Sequence, residues 1–329
     1  MHRRGLLKGL AASPLWALAP LAAQPAVPWP QRPLRLTVAY PPGGVSDDTA
    51  RLLAAGLAPR LGVNVLVDNR PGAGGLVAME ALGRGQPDAQ WLCYCAISPL
   101  VFDAPEAGRA AAPASEEPAL SRVLPLVSVM DTPLLLLAHP RFGPDSLAEV
   151  AAYLRAGRGP VRWATSGMGT VGHRVMTQVR HALGVDITHV PYKGGGQQLN
   201  DALGGEFELL SSNVASLQLQ YLREGRLKAI AVGAPQRLAV LPGVPTLAEL
   251  GFASANLVST FGLFITRGAP AERVLLLNQA VNAVLALPDL RQRMLASNNL
   301  PTGGSAEAFA MRIGQERVRQ MGVPPLPRS

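Results

Sequence analysis

Tyr40-Pro41-Pro42-Gly43-Gly44-Val45-Ser46-Asp47-Asp48-Thr49-Ala50-Arg51 separates two runs of different period. Before it, Leu34, Leu36, Val38 and Tyr40 recur at every second position, the pattern of a half-buried strand. After it, Leu52, Leu53, Leu57 and Leu61 recur at helical spacing. A strand therefore feeds a Pro-Gly-Gly turn that opens a helix, with Ser46 or Asp47 as the expected cap. Gly43 and Gly44 carry no side chains where backbone N–H groups could face a ligand. The first turn of a helix has four unpaired donors and a partial positive charge, so the stretch forms a seat for an anion. Taken alone, the same residues also fit an ordinary strand-to-helix turn, and the rest of the chain has to decide.

Strand and helix patterns alternate on both sides of this stretch. Val63–Asp68 reads as a second strand, Arg70-Pro71-Gly72-Ala73-Gly74-Gly75 as a second glycine turn, Leu76–Gly83 as a helix and Trp91–Ile97 as a third strand ending at Ser98. This repeat is that of a parallel α/β sheet. Residues 103–122, rich in Ala, Pro and Glu, read as a surface loop or disordered insert. Val123–Val129 and Leu134–Ala138 are apolar strands, and Asp131-Thr132-Pro133 between them marks a passage into a second lobe. There the opening device returns. Strand Val161–Thr165 leads into Ser166-Gly167-Met168-Gly169-Thr170-Val171-Gly172-His173 and a helix to Leu183. Ile187–Tyr192, the turn Lys193-Gly194-Gly195-Gly196, a helix through Leu203, strand Glu206–Leu210 and helix Val214–Leu222 follow. Leu227–Val232 is expected as the strand returning to the first lobe, and helices at Pro270–Leu287, Asp289–Ala296 and Ala306–Met321 close the chain.

Bulk properties narrow the function. The 329 residues are 48% hydrophobic and 16% charged, ample for a large core and two lobes. The formal charge of +8 is scattered and aromatics make up only 5%, which argues against a nucleic-acid surface. Arg3-Arg4-Gly5-Leu6-Leu7-Lys8 followed by a small-residue apolar run to Ala23 resembles a twin-arginine export signal over residues 1–26, with cleavage expected after Ala23 or Ala26. An uncleaved anchor is the alternative. Cys93 and Cys95, one residue apart in a strand, point the same way and are expected as buried thiols rather than a disulfide or a metal site.

Two enzymatic patterns deserve weighing. Gly167-x-Gly169-x-x-Gly172 matches a dinucleotide fingerprint, but Asp186 precedes the following strand, whereas the ribose-binding acid stands at that strand's far end. A hydrolase using Ser166 as nucleophile and His173 as base would need glycines two residues either side of the serine, where Ala164 and Met168 stand.

The ordered motifs Trp29-Pro30-x-x-Pro33-Leu34-Arg35, Gly43-Gly44-x-x-Asp47-x-x-Ala50-Arg51, Val67-x-Asn69-Arg70-Pro71-Gly72-Ala73-Gly74-Gly75, Ser166-Gly167-x-Gly169-Thr170-x-x-His173 and His189-Val190-Pro191-Tyr192-Lys193-Gly194 resemble those of Bug-type extracytoplasmic solute receptors of tripartite tricarboxylate transporters. So do Leu203-Gly204-Gly205 and Leu241-Pro242-x-Val244-Pro245-Thr246-x-x-Glu249-x-Gly251. The resemblance runs nearly from Trp29 to Gln320. It implies an α/β, two-lobed periplasmic binding protein fold of the Venus flytrap, type II-like kind, with lobe 1 at 27–130 plus 230–329 and lobe 2 at 131–229. It implies a small carboxylate in the interlobe cleft, delivery to membrane permease subunits, periplasmic location, a monomer, and no enzymatic activity, metal or cofactor. The ligand-binding residues it points to are Tyr40, Gly43, Gly44, Asp47, Ser98, Ser166, Gly169, Thr170, His173 and Asn213. A ligand-sensing subunit for a membrane kinase would share that cleft. Departures from the family pattern lie at Pro42, where a small Ala is common, at Pro87-Asp88-Ala89-Gln90-Trp91, and in the insert 103–122.

Overall fold

The computed structural model describes residues 29–102 and 118–321. The expected export signal and most of the insert lie outside the described residues; at the insert's end, Ala119–Arg122 form a 3-10 turn.

The first half-sheet is built from β1 (Leu34–Val38), β2 (Val65–Asn69) and β3 (Trp91–Ala96), paired in parallel in the order β2-β1-β3. Helices α1 (Val45–Leu61) and α2 (Leu76–Gly83) make the crossovers, and the short α3 (Ser98–Val101) follows β3. Next comes β4 (Val123–Ala138), a single strand of 16 residues where the pattern suggested two. It passes straight through Asp131-Thr132-Pro133 and changes neighbours there. Its first part pairs with β9 (Val258–Thr266), from Val123↔Thr266 to Pro133↔Val258. Its last part, Leu134–Ala138, lies between β7 (Leu209–Asn213) and β8 (Lys228–Gly233).

After α4 (Leu147–Arg155), the second half-sheet repeats the plan. β5 (Arg162–Thr165) pairs in parallel with β6 (Thr188–Pro191) on one side and with β7 on the other. The connecting helices are α5 (Val171–Leu183), α6 (Gly195–Gly204) and α7 (Ser216–Arg223). In each lobe the order is thus second strand, first, third, then an antiparallel strand that belongs to a crossing of the chain: β9 in the first lobe, the end of β4 in the second. Leu227–Val232, expected to lead back to the first lobe, instead becomes β8 and pairs within the second; the return is made by β9. α8 (Ala271–Leu285), α9 (Pro288–Ala296), the two-residue β10 (Leu300–Pro301) against β4, and α10 (Ala306–Met321) complete the fold.

The pleat sorts the core. Leu134 and Leu136 join a cluster with Cys93, Cys95, Trp163, Val175 and Phe264 that runs through both lobes. Leu135 and Leu137 face the other way, against Leu199, Ala202 and Leu219 of α6 and α7. In the first lobe, Leu34, Leu36 and Val38 meet Leu53 and Leu57 of α1 and Leu277, Val281 and Val284 of α8. Sheets covered on both faces read as nearly continuous apolar runs, as β4 does. Both cysteines are buried and unbonded to each other, as their spacing required.

Candidate functional site

Between the lobes lies a cleft of about 680 Å³. Its first-lobe wall is Tyr40 to Ser46 together with Asp48, Thr49, Arg51 and Leu52 of α1, continued by Arg293, Met294, Ser297 and Asn299 around the end of α9. Its second-lobe wall is Ser166 after β5, Gly195 and Gly196 at the start of α6, Asn213 at the end of β7, and Ala215–Gln218 at the start of α7.

Three helices therefore open on one hollow, and none of the three carries a side-chain cap: Gly44, Gly194 and Ala215 occupy the capping positions of α1, α6 and α7. The expected cap at Ser46 or Asp47 is displaced, because extended Gly44 precedes the first helical residue, Val45. First-turn N–H groups left without a side-chain acceptor, at the positive ends of three helix dipoles, form a concentrated anion seat. By contrast α5, the helix the sequence singled out in the second lobe, is capped by Thr170, whose hydroxyl accepts from the His173 N–H at 3.3 Å.

Of the expected binding residues, Tyr40, Gly43, Gly44, Ser166 and Asn213 line this cleft. Tyr40 is part of the lining, its ring edge-on to Phe261 with centroids 5.8 Å apart and its hydroxyl accepting from the Ala96 N–H at 3.1 Å; burial first, then the neighbouring Cys95, raises that phenol's pKa well above the ordinary value. Asn213 accepts from the Ser259 hydroxyl at 2.7 Å through Oδ1, which leaves its amide N–H groups for the cleft. Asp47 sits beneath the loop, only 3% exposed. It accepts from the Gly43 N–H at 3.1 Å, Arg51 Nε at 2.9 Å and Asn69 Nδ2 at 2.9 Å. Burial disfavours its charge, but the hydrogen bonds from Arg51, Asn69 and Gly43 outweigh burial and hold its pKa below the usual carboxylate value. Asp47 thus shapes the seat rather than lining it.

Ser98, Gly169, Thr170 and His173 also stand back from this cleft. Ser98 is buried at the start of α3. His173 accepts from the Gly169 N–H at 3.2 Å through Nδ1 and stacks on His189 with centroids 4.3 Å apart. Burial, then His189, then Arg174 and Arg180 push its pKa down to about 3, and burial takes His189 to about 4. Both rings are neutral at physiological pH. Among the described residues no hydrogen bond joins Ser166 to His173, so the nucleophile–base contact of a hydrolase is not assembled.

The glycines of the decoy fingerprint have packing roles. A Cβ on Gly172 would come within 2.9 Å of Ser211, so α5 lies directly on β7. Gly167 and Gly169 turn the loop onto the first lobe, where a Cβ on Gly74 would collide with the Met168 carbonyl. Gly194 similarly admits Pro41. These two approaches, with a 3.0 Å hydrogen bond between Ser216 and Ser297, bring the lobes together around the cleft.

Sequence reasoning missed Gly195 and Gly196, the first turn of α7, and the α9 residues. The first two glycines belong to a turn of the same Pro-or-Gly-rich kind as the opening stretch, which was the available signal. The α9 residues have no local signature, since only the fold carries that helix end to the cleft.

Among the described residues, no group of three or more His, Cys, Asp or Glu side chains is gathered to hold a metal ion, and no helix is long and apolar enough to cross a membrane.

Residues 49–323 match the family described as tripartite tricarboxylate transporter family receptor. BugT of Bordetella pertussis is 31% identical over 296 residues, covering 90% of this chain and 89% of that protein. Among solved structures, MatC from Rhodopseudomonas palustris with bound malate is 28% identical, covers 90% of this chain and 99% of its own, and superposes with a TM-score of 0.78. A second R. palustris protein, with adipate, is 28% identical, covers 90% of this chain and 97% of its own, and has a TM-score of 0.79. Periplasmic binding protein BugD is also 28% identical, with coverages of 88% and 96% and a TM-score of 0.77.

Proposed function

Because this chain belongs to the tripartite tricarboxylate transporter family of receptors, we propose that it is a periplasmic solute-binding receptor that captures a small carboxylate between its lobes and presents it to membrane permease subunits. The observation that carries this reading is the convergence of the uncapped starts of α1, α6 and α7 on one cleft. Relatives of the same fold hold malate and adipate, two small carboxylates, which supports the ligand class.

The physics asks for nothing beyond capture. The turn at Gly44–Ser46 offers bare amides and Asn213 adds side-chain donors, while Leu52, Leu199, Leu217 and Met294 add apolar lining. Each hydrogen bond to a charged group contributes about 1.5–3 kcal/mol, and each helix start adds about 0.3–2 kcal/mol. Four or five such bonds, less several kcal/mol for lost freedom, reach the roughly −8.2 kcal/mol of a micromolar complex. Closure of the lobes at Gly74 and Gly194 then shields the ligand from water.

The test is thermal unfolding of the mature protein against a panel of mono-, di- and tricarboxylates, amino acids and aromatic acids. A true ligand at a hundredfold excess over its dissociation constant adds about 2.7 kcal/mol. A panel without any shift overturns the reading.

A further inference from the structure

Three charged side chains line the cleft, and they are not equivalent: Asp48, Arg51 and Arg293. Arg51 is already neutralised, with Nε 2.9 Å from Asp47 and Nη2 at 3.4 Å from Asn69. Asp48 is an acid beside the seat, its pKa raised first by burial and then by Asp47. Arg293, in the last turn of α9, has no acidic partner among the described residues. It stands on a wall that Met294, Ser297 and Asn299 complete, and the Ser216–Ser297 hydrogen bond brings the start of α7 to that wall. The cleft lining therefore combines a backbone anion seat at Gly44–Ser46, the apolar side chains of Leu52, Leu199, Leu217 and Met294, and a guanidinium from α9, the helix whose end is hydrogen-bonded to the start of α7.

We propose that Arg293 is the specificity-determining residue for the second end of the ligand, selecting molecules that carry an anionic group at both ends over those with one anionic and one apolar end. This rests on the carboxylate-receptor reading above. The chemistry is that of a guanidinium and a carboxylate, whose planar fork geometries match and whose hydrogen bonds are charge-assisted. A backbone seat binds any carboxylate alike and discriminates little, so the difference between ligands must come from side chains elsewhere in the lining. A second carboxylate pairs there with the exposed Arg293 guanidinium, whereas a terminal methyl group gains nothing from it. An ordinary role is also available to Arg293, since a cation in the last turn of a helix favours the dipole. That role moves stability and leaves the ratio between ligands untouched.

The experiment is calorimetric titration of the full mature protein with the α,ω-dicarboxylates of four to eight carbons and with the straight-chain monocarboxylates of the same lengths. Wild type, Arg293→Gln and Arg293→Lys are compared. The expected result is a dicarboxylate bound at least about tenfold tighter than its monocarboxylate partner by wild type. In Arg293→Gln that preference is lost through weaker dicarboxylate binding, with monocarboxylate affinity unchanged, and Arg293→Lys recovers part of it. Equal weakening of both ligand types, a change in melting temperature with the ratio unmoved, or no preference in wild type overturns the assignment. If none of these chains binds while another carboxylate of the wider panel does, the receptor reading stands and the Arg293 assignment falls. If no carboxylate binds, both fall.

Discussion

Asp47 shows how one buried carboxylate can set a binding loop without touching what binds there. Its oxygens take the Gly43 N–H, Arg51 and Asn69, so it fixes the turn between β1 and α1 from below. Asp47→Ala removes these acceptors and is expected to cost about 2 kcal/mol of stability. It should also weaken carboxylate binding through a loosened seat; unchanged affinity in calorimetry would reduce Asp47 to a purely structural anchor. The pH dependence follows from two groups of shifts. Asp47 has a folded pKa below its unfolded value, so its contribution is full above the unfolded pKa near 4 and is lost as pH falls through the folded one. The stacked His173 and His189 have folded values of about 3 and about 4, against roughly 6.5 when unfolded. Between those values the unfolded chain binds more protons, so stability falls as pH drops from about 6.5 towards 4, before the carboxylates act. Replacing His189 by Phe takes one of the two sites out of that window, and melting curves should show the acid-induced fall narrowed by roughly 5 °C. A variant as acid-sensitive as wild type would contradict the assignment to the histidine pair.

Elements behave according to what covers them. β4 was legible as two apolar strands, because Asp131-Thr132-Pro133 reads locally as a break. In the fold Thr132 is fully buried and donates to Asn299 at 2.7 Å, and Asp131 is bound by Arg312 and Thr260, so tertiary partners carry the strand through. β9 went unread for a related reason. Gly262 interrupts its apolar run, and glycine in a strand argues against the strand unless something approaches closely. Something does: Phe309 of α10 lies on that glycine, where a Cβ would overlap the ring. Gly262→Ala is therefore expected to cost about 1–3 kcal/mol by overpacking. In the Phe309→Ala background the same change should cost at least about 0.5 kcal/mol less, a coupling that denaturant titrations can read. Additive effects would show that the ring is not the obstacle. The helix after the second glycine turn was legible to the residue, as α2 shows, whereas α5 begins at Val171, inside the stretch read as its turn. Which starts face the cleft was not legible, since that depends on how the half-sheets meet. The Gly-rich loop at Ser166–Thr170 packs on Gly74, while the plainer starts of α6 and α7 line the hollow.

At the scale of the whole molecule, the two lobes repeat one strand order and are joined where β4 and β9 run side by side from Pro133 and Val258. Both crossings lie together, the arrangement about which the lobes of a hinged protein turn. The shared apolar cluster and the hydrogen bonds of Arg174 and Gln178 to Gln320 tie α5 to the end of α10 at the back. The contact of Gly194 with Pro41 lies at the cleft itself. On the reading proposed above, the ligand touches both lobes and finds their amide donors. The most direct measurement is therefore backbone amide NMR of the mature protein during titration with the tightest binder of the carboxylate panel. The expected result is saturable shifts of Gly43, Gly44, Val45 and Ser46 in one lobe together with Gly195, Gly196 and Ser216 in the other. Shifts confined to one lobe or gathered elsewhere, as around the surface groove of Arg141 and Arg158, would contradict it, as would a panel in which nothing binds.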